Sequence, residues 1–396
     1  MRIAFLIKRK NYYRVLGAVI EEALRREWRV ECWHDHAHSR TNWKGHEFPD
    51  LEPAFRSGAP VFVPYQGTPE LAERFEVEPP DAVISVDAPE PAVAPVTRAP
   101  WFWLQFAADL VLDPAAARGI GAATAVGLYS PWWARRLRNN VGEGTPLDAA
   151  ARRKLATVGM PMLDLAPDID PDEVRWTYGL PRQRPVVLYL PFPLLSTPPR
   201  PSLRGLLRRA PRLARVARGW LGPPWNDRRF VEALRGFCER NGAALVVKSR
   251  RKDPSPTYLR RAAAAHFLDE PYHPPVILEL LRCAALCVHF YSTAVLEAVA
   301  CGVPSLCLGP APSDMGLDAL NATLIHHGRE GGIYNWSGAA HWRPVAEALD
   351  GLGRWGLADF PIELPARKSY VERFLGFDDA KSSARFLDLV AGRVRA

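Results

Sequence analysis

Apolar residues along the chain fall into short unbroken runs, separated by stretches in which they recur every third or fourth position. Unbroken runs mark strands buried on both faces, and the three-to-four spacing marks helices that cover them. In the first half, Arg2–Ile7 reads as a buried strand and residues 13–26 as a helix. Further strands are expected at 28–33, 61–63, 81–86, 101–105 and 124–129, with a helix after Pro131. The second half restarts the alternation. Strands are expected at 185–190, 243–248, 285–290 and 303–308, and helices at 228–241, 257–267, 276–284 and 292–301. A last helix, 381–395, has no strand partner and is expected to pack back across the domains. Two such blocks predict an α/β protein of two doubly wound domains facing a cleft, with ligands outside the carboxyl ends of the strands.

Between the blocks lies VGMPMLDLAPDIDPDEV, rich in Pro and Asp. Asp168-Ile169-Asp170 has the spacing of a metal-binding DxD, but Pro171 directly after Asp170 suits a capped helix start better. The division expected is residues 1–165, a linker over 166–180, residues 181–375, and a C-terminal helix over 376–396.

Composition narrows the class. A chain of 396 residues, 48% hydrophobic, exceeds one ordinary core and suits two. No segment nears the run of about 20 apolar residues that a membrane-spanning helix needs. In MRIAFLIKRK the basic residues follow the apolar run, the wrong order for a secretory signal, so a cytoplasmic protein is expected. Cys283 and Cys287 are four apart, but no second pair or histidine cluster completes a zinc site. The cysteines are expected to act as small hydrophobes in a reducing compartment. The net charge of +8 is compatible with nucleic acid, anionic lipid or phosphorylated substrates, and its sum does not choose among them.

Chemistry concentrates in ALCVHFYSTAVLEAVACGVPSLCLG, residues 285–309. The strand ends at His289-Phe290-Tyr291 and a helix is expected to open at Ser292-Thr293. Its free N–H groups and positive dipole end suit a phosphate. Ser292 and Thr293 can cap the helix and donate hydroxyls to a diphosphate, with Tyr291 at the mouth of the same turn. Glu297, one turn further in, can accept hydrogen bonds from ribose hydroxyls. Gly302 and Pro304 end the unit. An ordinary strand–helix–strand unit with a serine cap has the same pattern.

This stretch resembles the donor-binding element of GT-B glycosyltransferases, in which a small-hydroxyl pair precedes a helix bearing glutamate and then Gly-x-Pro. It is also similar to the polymerising glycerol-phosphate transferases and the nucleotide-sugar 2-epimerases, which share the architecture. ALVVKSRRKD, residues 244–253, resembles their strand-plus-lysine element beside the donor phosphates. Val158-Gly159-Met160-Pro161 followed by Asp164 resembles the Gly-x-Pro…Asp signature at their domain junction. The resemblance spans residues 129–309 in order and implies two Rossmann-like domains. Three departures stand beside it. The phosphate-polymer transferases usually follow the lysine with His-Pro, and here Ser249-Arg250-Arg251-Lys252 follows. Arg250 and Arg251 can clamp phosphate oxygens, or the basic run simply coats a loop. Where many relatives carry His-Gly after the strand ending near Gln105, this chain has Phe106-Ala107. The Gly-Gly-x-Gln-Glu-Glu pattern of the epimerases is absent from residues 293–298, which argues against epimerisation.

A transferase that inverts its sugar needs a general base near the acceptor hydroxyl, and the resemblance places it in the N-terminal domain. Asp87 follows a strand and ranks first, with Glu90 close behind; His34, Asp35 and His36 are the rivals. The basic, aromatic loop Lys8–Tyr13 is expected to meet a phosphorylated or acidic acceptor, or to be a solvated surface loop. Over 198–225, Leu203, Leu206, Leu207 and Leu213 alternate with Arg204, Arg208, Arg209, Arg212 and Arg215. That is a basic amphipathic pattern, suited over 203–221 to an anionic membrane surface or to a solvated helix face. No nucleic-acid motif accompanies the arginines.

The reading is a metal-independent glycosyltransferase with no cofactor beyond its nucleotide-sugar donor. Lys248, Arg250, Ser292 and Thr293 would stabilise the leaving phosphate, Tyr291 would line the donor site, and Glu297 would hold the ribose. The acceptor would be a carbohydrate or a lipid-linked molecule. Alternatives on the same fold are a glycerol- or ribitol-phosphate transferase, a nucleotide-sugar 2-epimerase, and a non-catalytic nucleotide-sugar-binding protein.

Overall fold

The computed structural model describes residues 1–37, 49–106, 119–139, 147–191, 227–250, 255–268, 272–309 and 330–395. The arginine-rich stretch 198–225 lies outside them, as do Ala107, Arg251 and Lys252. No helix among the described residues is long and apolar enough to cross a membrane. The contacts divide the chain into two compact units. The first takes Met1–Asp168, Glu270–Val276 and Val371–Ala396, and the second takes Ile169–Asp269 and Ile277–Tyr370.

The first unit holds β1 (Arg2–Ile7), β2 (Arg29–Asp35), β3 (Val61–Tyr65), β4 (Ala82–Ser85), β5 (Trp101–Leu104), β6 (Ala125–Leu128) and β7 (Leu155–Thr157). They form one sheet in the order β3-β2-β1-β4-β5-β6-β7, parallel throughout. Such strands bury both faces, which is why RIAFLI and WFWL carry almost no polar residues. The helix Tyr13–Arg25 covers one face, with Leu16, Val19, Ile20 and Ala23 in a core shared with Phe5, Ile84 and Phe102.

The C-terminal helix Ser382–Val394 packs within this first unit. Phe386, Leu387 and Val390 join the same core, and Arg26 Nη1 donates to Asp388 Oδ1 at 2.8 Å. Asp164 seats its start, accepting from the Ser382 and Ser383 N–H groups at 3.0 and 2.6 Å. Gly159 has φ +94, and a Cβ there would fall 2.2 Å from Ser382 Oγ. The Gly159…Asp164 signature therefore has a local task, the docking of a helix that begins more than two hundred residues later. Residues of the 272–276 segment belong here too: His273 Nε2 lies 3.4 Å from Glu21 Oε1, which also accepts from the Arg56 N–H at 2.7 Å.

In the second unit, β8 (Val186–Leu190), β9 (Ala244–Lys248), β10 (Ala265–Phe267), β11 (Ala284–His289), β12 (Ser305–Gly309) and β13 (Ala340–Pro344) form a parallel sheet in the order β10-β9-β8-β11-β12-β13. Its core gathers Val187, Tyr189, Phe230, Leu245 and Val288 with Phe360. The helix expected over 257–267 stops at Ala262. Ala263 is already extended, the Ala264 N–H donates to Leu245 O at 2.8 Å, and the chain becomes β10. A free sheet edge outweighs the helix propensity of the alanines. Asp170 caps the helix Pro171–Thr177, its Oδ1 accepting from the Asp172 N–H at 2.9 Å. None of the six cysteines forms a disulfide, and five of them are buried.

Candidate functional site

In the second sheet β8 is first in sequence, and β9 and β11 flank it on opposite sides. Strand order reverses there, and in doubly wound sheets ligands gather at the carboxyl ends of such a pair. β11 ends at His289, which is wholly buried. Its Nδ1 accepts from the Ser292 N–H at 3.2 Å, so its proton sits on Nε2, 2.7 Å from Ser305 Oγ at the start of β12. Burial pushes this imidazole down to about 3, which keeps it neutral.

The chain then turns sharply at Tyr291, a non-glycine residue with φ +43, a conformation that costs about 1–3 kcal/mol unless its surroundings impose it. Those surroundings are specific. The Tyr334 hydroxyl donates to Tyr291 O at 2.9 Å, and Trp342 Nε1 donates to the Tyr291 hydroxyl at 3.0 Å. The Tyr291 N–H points at Cys307 Sγ, 3.4 Å away. Gly309 leaves room for the ring, since a Cβ there would fall 2.2 Å from it.

The helix after this turn spans Val295–Ala300 rather than opening at Ser292. Several N–H groups that a helix opened at Ser292 would leave free are committed inside the turn. Ser292 N–H goes to His289, Ala294 N–H to Ser292 Oγ at 3.3 Å, and Val295 N–H to Ser292 O at 3.2 Å. The N–H and hydroxyl of half-buried Thr293 stay uncommitted among the described residues.

Glu297 is buried one turn further on. Lys248, also buried, ends β9. Both act on the Cys287 thiol of β11, which burial raises first, Glu297 raises further and Lys248 lowers. Arg250 is exposed beyond it. Ser249 is anchored by Ser255 Oγ and by His266 Nε2 at 2.9 Å. Burial, and then Arg260, lower the pKa of His266. The sequence hides His266, because the run containing it reads as helix.

The first sheet has the same layout, with β1 flanked by β2 and β4. Asp35 pairs with Tyr65, Ile7 with His34, and Phe5 with Ile84. Continued past the strand ends, that register sets Tyr65, Asp35, Lys8 and Asp87 on one row. Lys8 Nζ lies 3.9 Å from Asp87 Oδ2 and in direct contact with the Glu90 carboxylate. The Tyr12 hydroxyl donates to Asp87 Oδ2 at 2.7 Å, and Ser85 Oγ donates to Asp87 O at 2.6 Å. The Asp87 side chain remains 40% exposed, so it is held yet reachable.

The rivals are placed differently. His34 is buried on the face covered by the helix Tyr13–Arg25, with Nε2 2.6 Å from the Tyr13 hydroxyl. Burial, and then His36, push it down to about 4. Asp35, on the opposite face, is buried and accepts from the Ala37 N–H at 3.0 Å. Gln105 is a strand-end stitch: its Oε1 accepts from the Tyr129 N–H at 3.0 Å, and the Tyr129 hydroxyl donates to Phe106 O at 3.0 Å.

Two parallel sheets of this order, each covered by helices, are the GT-B architecture expected from the sequence. No protein-family model matches the chain, and no curated protein matches it. Solved structures do. The wall teichoic acid polymerase TagF superposes with a TM-score of 0.62 at 12% identity, over 100% of this chain and 89% of that one. The S. aureus MnaA–UDP co-structure superposes at 0.54 and 11% identity, over 100% and 97%. UDP-GlcNAc 2-epimerase from Neisseria meningitidis, bound to UDP-GlcNAc, superposes at 0.52 and 11% identity, over 99% and 100%. At these identities the likeness establishes the fold.

Proposed function

We propose that the chain is a metal-independent transferase that moves a sugar from a nucleotide-sugar donor to an acceptor hydroxyl in the synthesis of a surface polysaccharide or glycoconjugate. The observation that carries this reading is a buried cation, Lys248, at the carboxyl end of β9 together with a buried carboxylate, Glu297, on the helix that follows the turn Tyr291–Thr293 after β11. A cation and a carboxylate brought to the carboxyl edge from separate strand–helix units match the two ends of a nucleoside diphosphate. Lys248 and Arg250 neutralise the charge that grows on the departing phosphate, Thr293 donates its N–H and hydroxyl to the same oxygens, and Glu297 accepts from the ribose hydroxyls. Ser292 and Tyr291 shape the turn. Asp87 takes the proton from the acceptor hydroxyl as its oxygen attacks the anomeric carbon, and the nucleoside diphosphate leaves. Residues 203–221 supply an anionic-membrane contact that brings the enzyme to a lipid-linked acceptor.

The test is a thermal-shift screen against UMP, UDP, CMP, CDP, GDP and ADP, repeated on Glu297→Gln. A nucleotide that binds only the folded chain raises its melting temperature by about the linkage term RT ln(1 + [L]/Kd). A shift with one base, lost in Glu297→Gln, is the expected result. No shift with any of the six removes the reading.

A second reading keeps the site and moves the attack to phosphorus, transferring a glycerol- or ribitol-phosphate unit. The likeness to a wall teichoic acid polymerase favours it, as does His266, which meets Ser249 directly after Lys248. It is told apart by its products: a nucleoside monophosphate leaves, and the phosphorus stays with the acceptor.

A further inference from the structure

One polar group at the carboxyl edge of the first sheet is left unexplained by the packing. Tyr65, the last residue of β3, is 2% exposed, and its hydroxyl is buried with no hydrogen-bond partner. Its ring sits well, in a cluster with Trp33, Leu71 and Phe75. Phenylalanine would fill that space without stripping water from a hydroxyl that nothing receives. The hydroxyl therefore asks for a partner from outside the fold.

Its neighbourhood says which kind. Asp35 is its direct partner in the β2–β3 register, and Lys8 and Asp87 continue the row. After burial, the charges of Asp35, Glu90 and Asp87 are what push the phenol far above its usual range, so all three carboxylates act on it. In the loop that supplies Tyr12 to Asp87, Asn11 Oδ1 is also buried without a partner. Two of the three cations that make this loop look basic in sequence are matched by carboxylates, Lys8 by Glu90 and Asp87 and Lys10 by Asp50 at 3.6 Å, and the third, Arg9, lies over the Tyr12 ring at 6.0 Å.

We infer that this edge receives an uncharged, hydroxyl-rich group and disfavours a phosphorylated or carboxylated one, with Tyr65 as the specificity-determining donor. The inference rests on the transferase reading, in which Asp87 faces the acceptor. A sugar hydroxyl both accepts and donates: it takes the proton offered by Tyr65 and gives its own to a carboxylate or to Asn11 Oδ1. A phosphate or a uronate brings acceptors and negative charge to a place already holding three carboxylates, where like charges repel.

Saturation-transfer NMR on the full chain tests this with neutral trisaccharides (cellotriose, chitotriose, maltotriose) and two anionic trimers (trigalacturonate and a glycerol-phosphate trimer). Transfer to at least one neutral trisaccharide and to neither anion is expected. In Tyr65→Phe and Asp87→Asn the neutral ligand should bind about tenfold or more weakly, roughly the loss of one good hydrogen bond. Tyr65→Phe should melt at or above the parent, because the lost hydroxyl has no partner in the fold. Transfer to the anions, transfer to no trimer at all, or neutral binding unchanged in both variants overturns the inference. The nucleotide shift reports separately on the donor reading. Sugar binding without that shift defeats the donor site alone, and the shift without sugar selectivity defeats this inference alone.

Discussion

At the carboxyl edge of the first sheet, Lys8 lies in salt-bridge range of both Asp87 and Glu90, and the Tyr12 hydroxyl steadies Asp87. At the matching edge of the second sheet, the turn at Tyr291 is held by neutral groups: His289, Tyr334, Trp342 and the Cys307 sulfur. The two edges share a topology and differ in what fixes them. Half-exposed ion pairs contribute little stability and leave carboxylate oxygens available for exchange with a ligand. Buried hydrogen bonds to a turn in a left-handed conformation fix its shape, and a group removed there leaves an unsatisfied partner behind. The first edge is suited to proton transfer and the second to holding a shape.

The largest effect that sharpens this contrast is kinetic. Asp87→Asn should lower turnover by about 10²–10⁴-fold, the usual contribution of a positioned general base, while the nucleotide-induced melting shift stays as in the parent. Initial rates of nucleotide release check the first half, and a rate within a few-fold of the parent would return the base to another residue. Next is stability. His289→Ala leaves the Ser292 N–H and the Ser305 hydroxyl without their buried partner, and about 2–4 kcal/mol should be lost in urea unfolding. A loss below about 1 kcal/mol would show that the neutral frame does not hold the turn.

The smallest effect is a slope. His289 and His34 lie at about 3 and about 4 in the folded chain, below the ordinary 6.5. Between pH 6.5 and about 4 the unfolded chain therefore binds protons that the folded chain does not, so their contribution is full above 6.5 and is lost as pH falls. Each histidine adds up to about 1.4 kcal/mol per pH unit to that slope. Unfolding free energies of His34→Asn measured from pH 7 to 4.5 should show a slope shallower by about one proton.

The long apolar runs of β1, β5, β8, β11 and β12 were legible because a parallel strand buried on both faces has little room for polar residues. The short strands escaped. Leu155–Thr157 and Ala265–Phe267 have three residues each, and Ala340–Pro344 reads AHWRP, polar and apolar in no period. At the site, Ser292, Thr293 and Glu297 could be picked out because they stand together after a strand. The frame around them could not. Tyr334, Trp342 and Gly309 reach Tyr291 from other parts of the chain, and the three form no motif. Tyr65 was hidden in the opposite way, inside VFVPY, where its ring belongs and its hydroxyl goes unnoticed. The helix expected to open at Ser292 shows the limit of cap signals. Ser292 does accept from a nearby N–H, but in a turn that delays the helix to Val295.

The seat formed by Gly159 and Asp164 bears on the order in which a ribosome-bound chain can finish folding. Domains generally fold as units, the earliest-made first. Here the sheet made first cannot close its core when residue 168 leaves the exit tunnel. Phe386, Leu387 and Val390 have yet to be synthesised, and so has His273, which meets Glu21. The second unit, all of it contained between residues 169 and 370, has its chain complete before the first unit does. The nascent first half must wait with the part of its core that Phe386, Leu387 and Val390 cover left open until residues 382–394 emerge and close it.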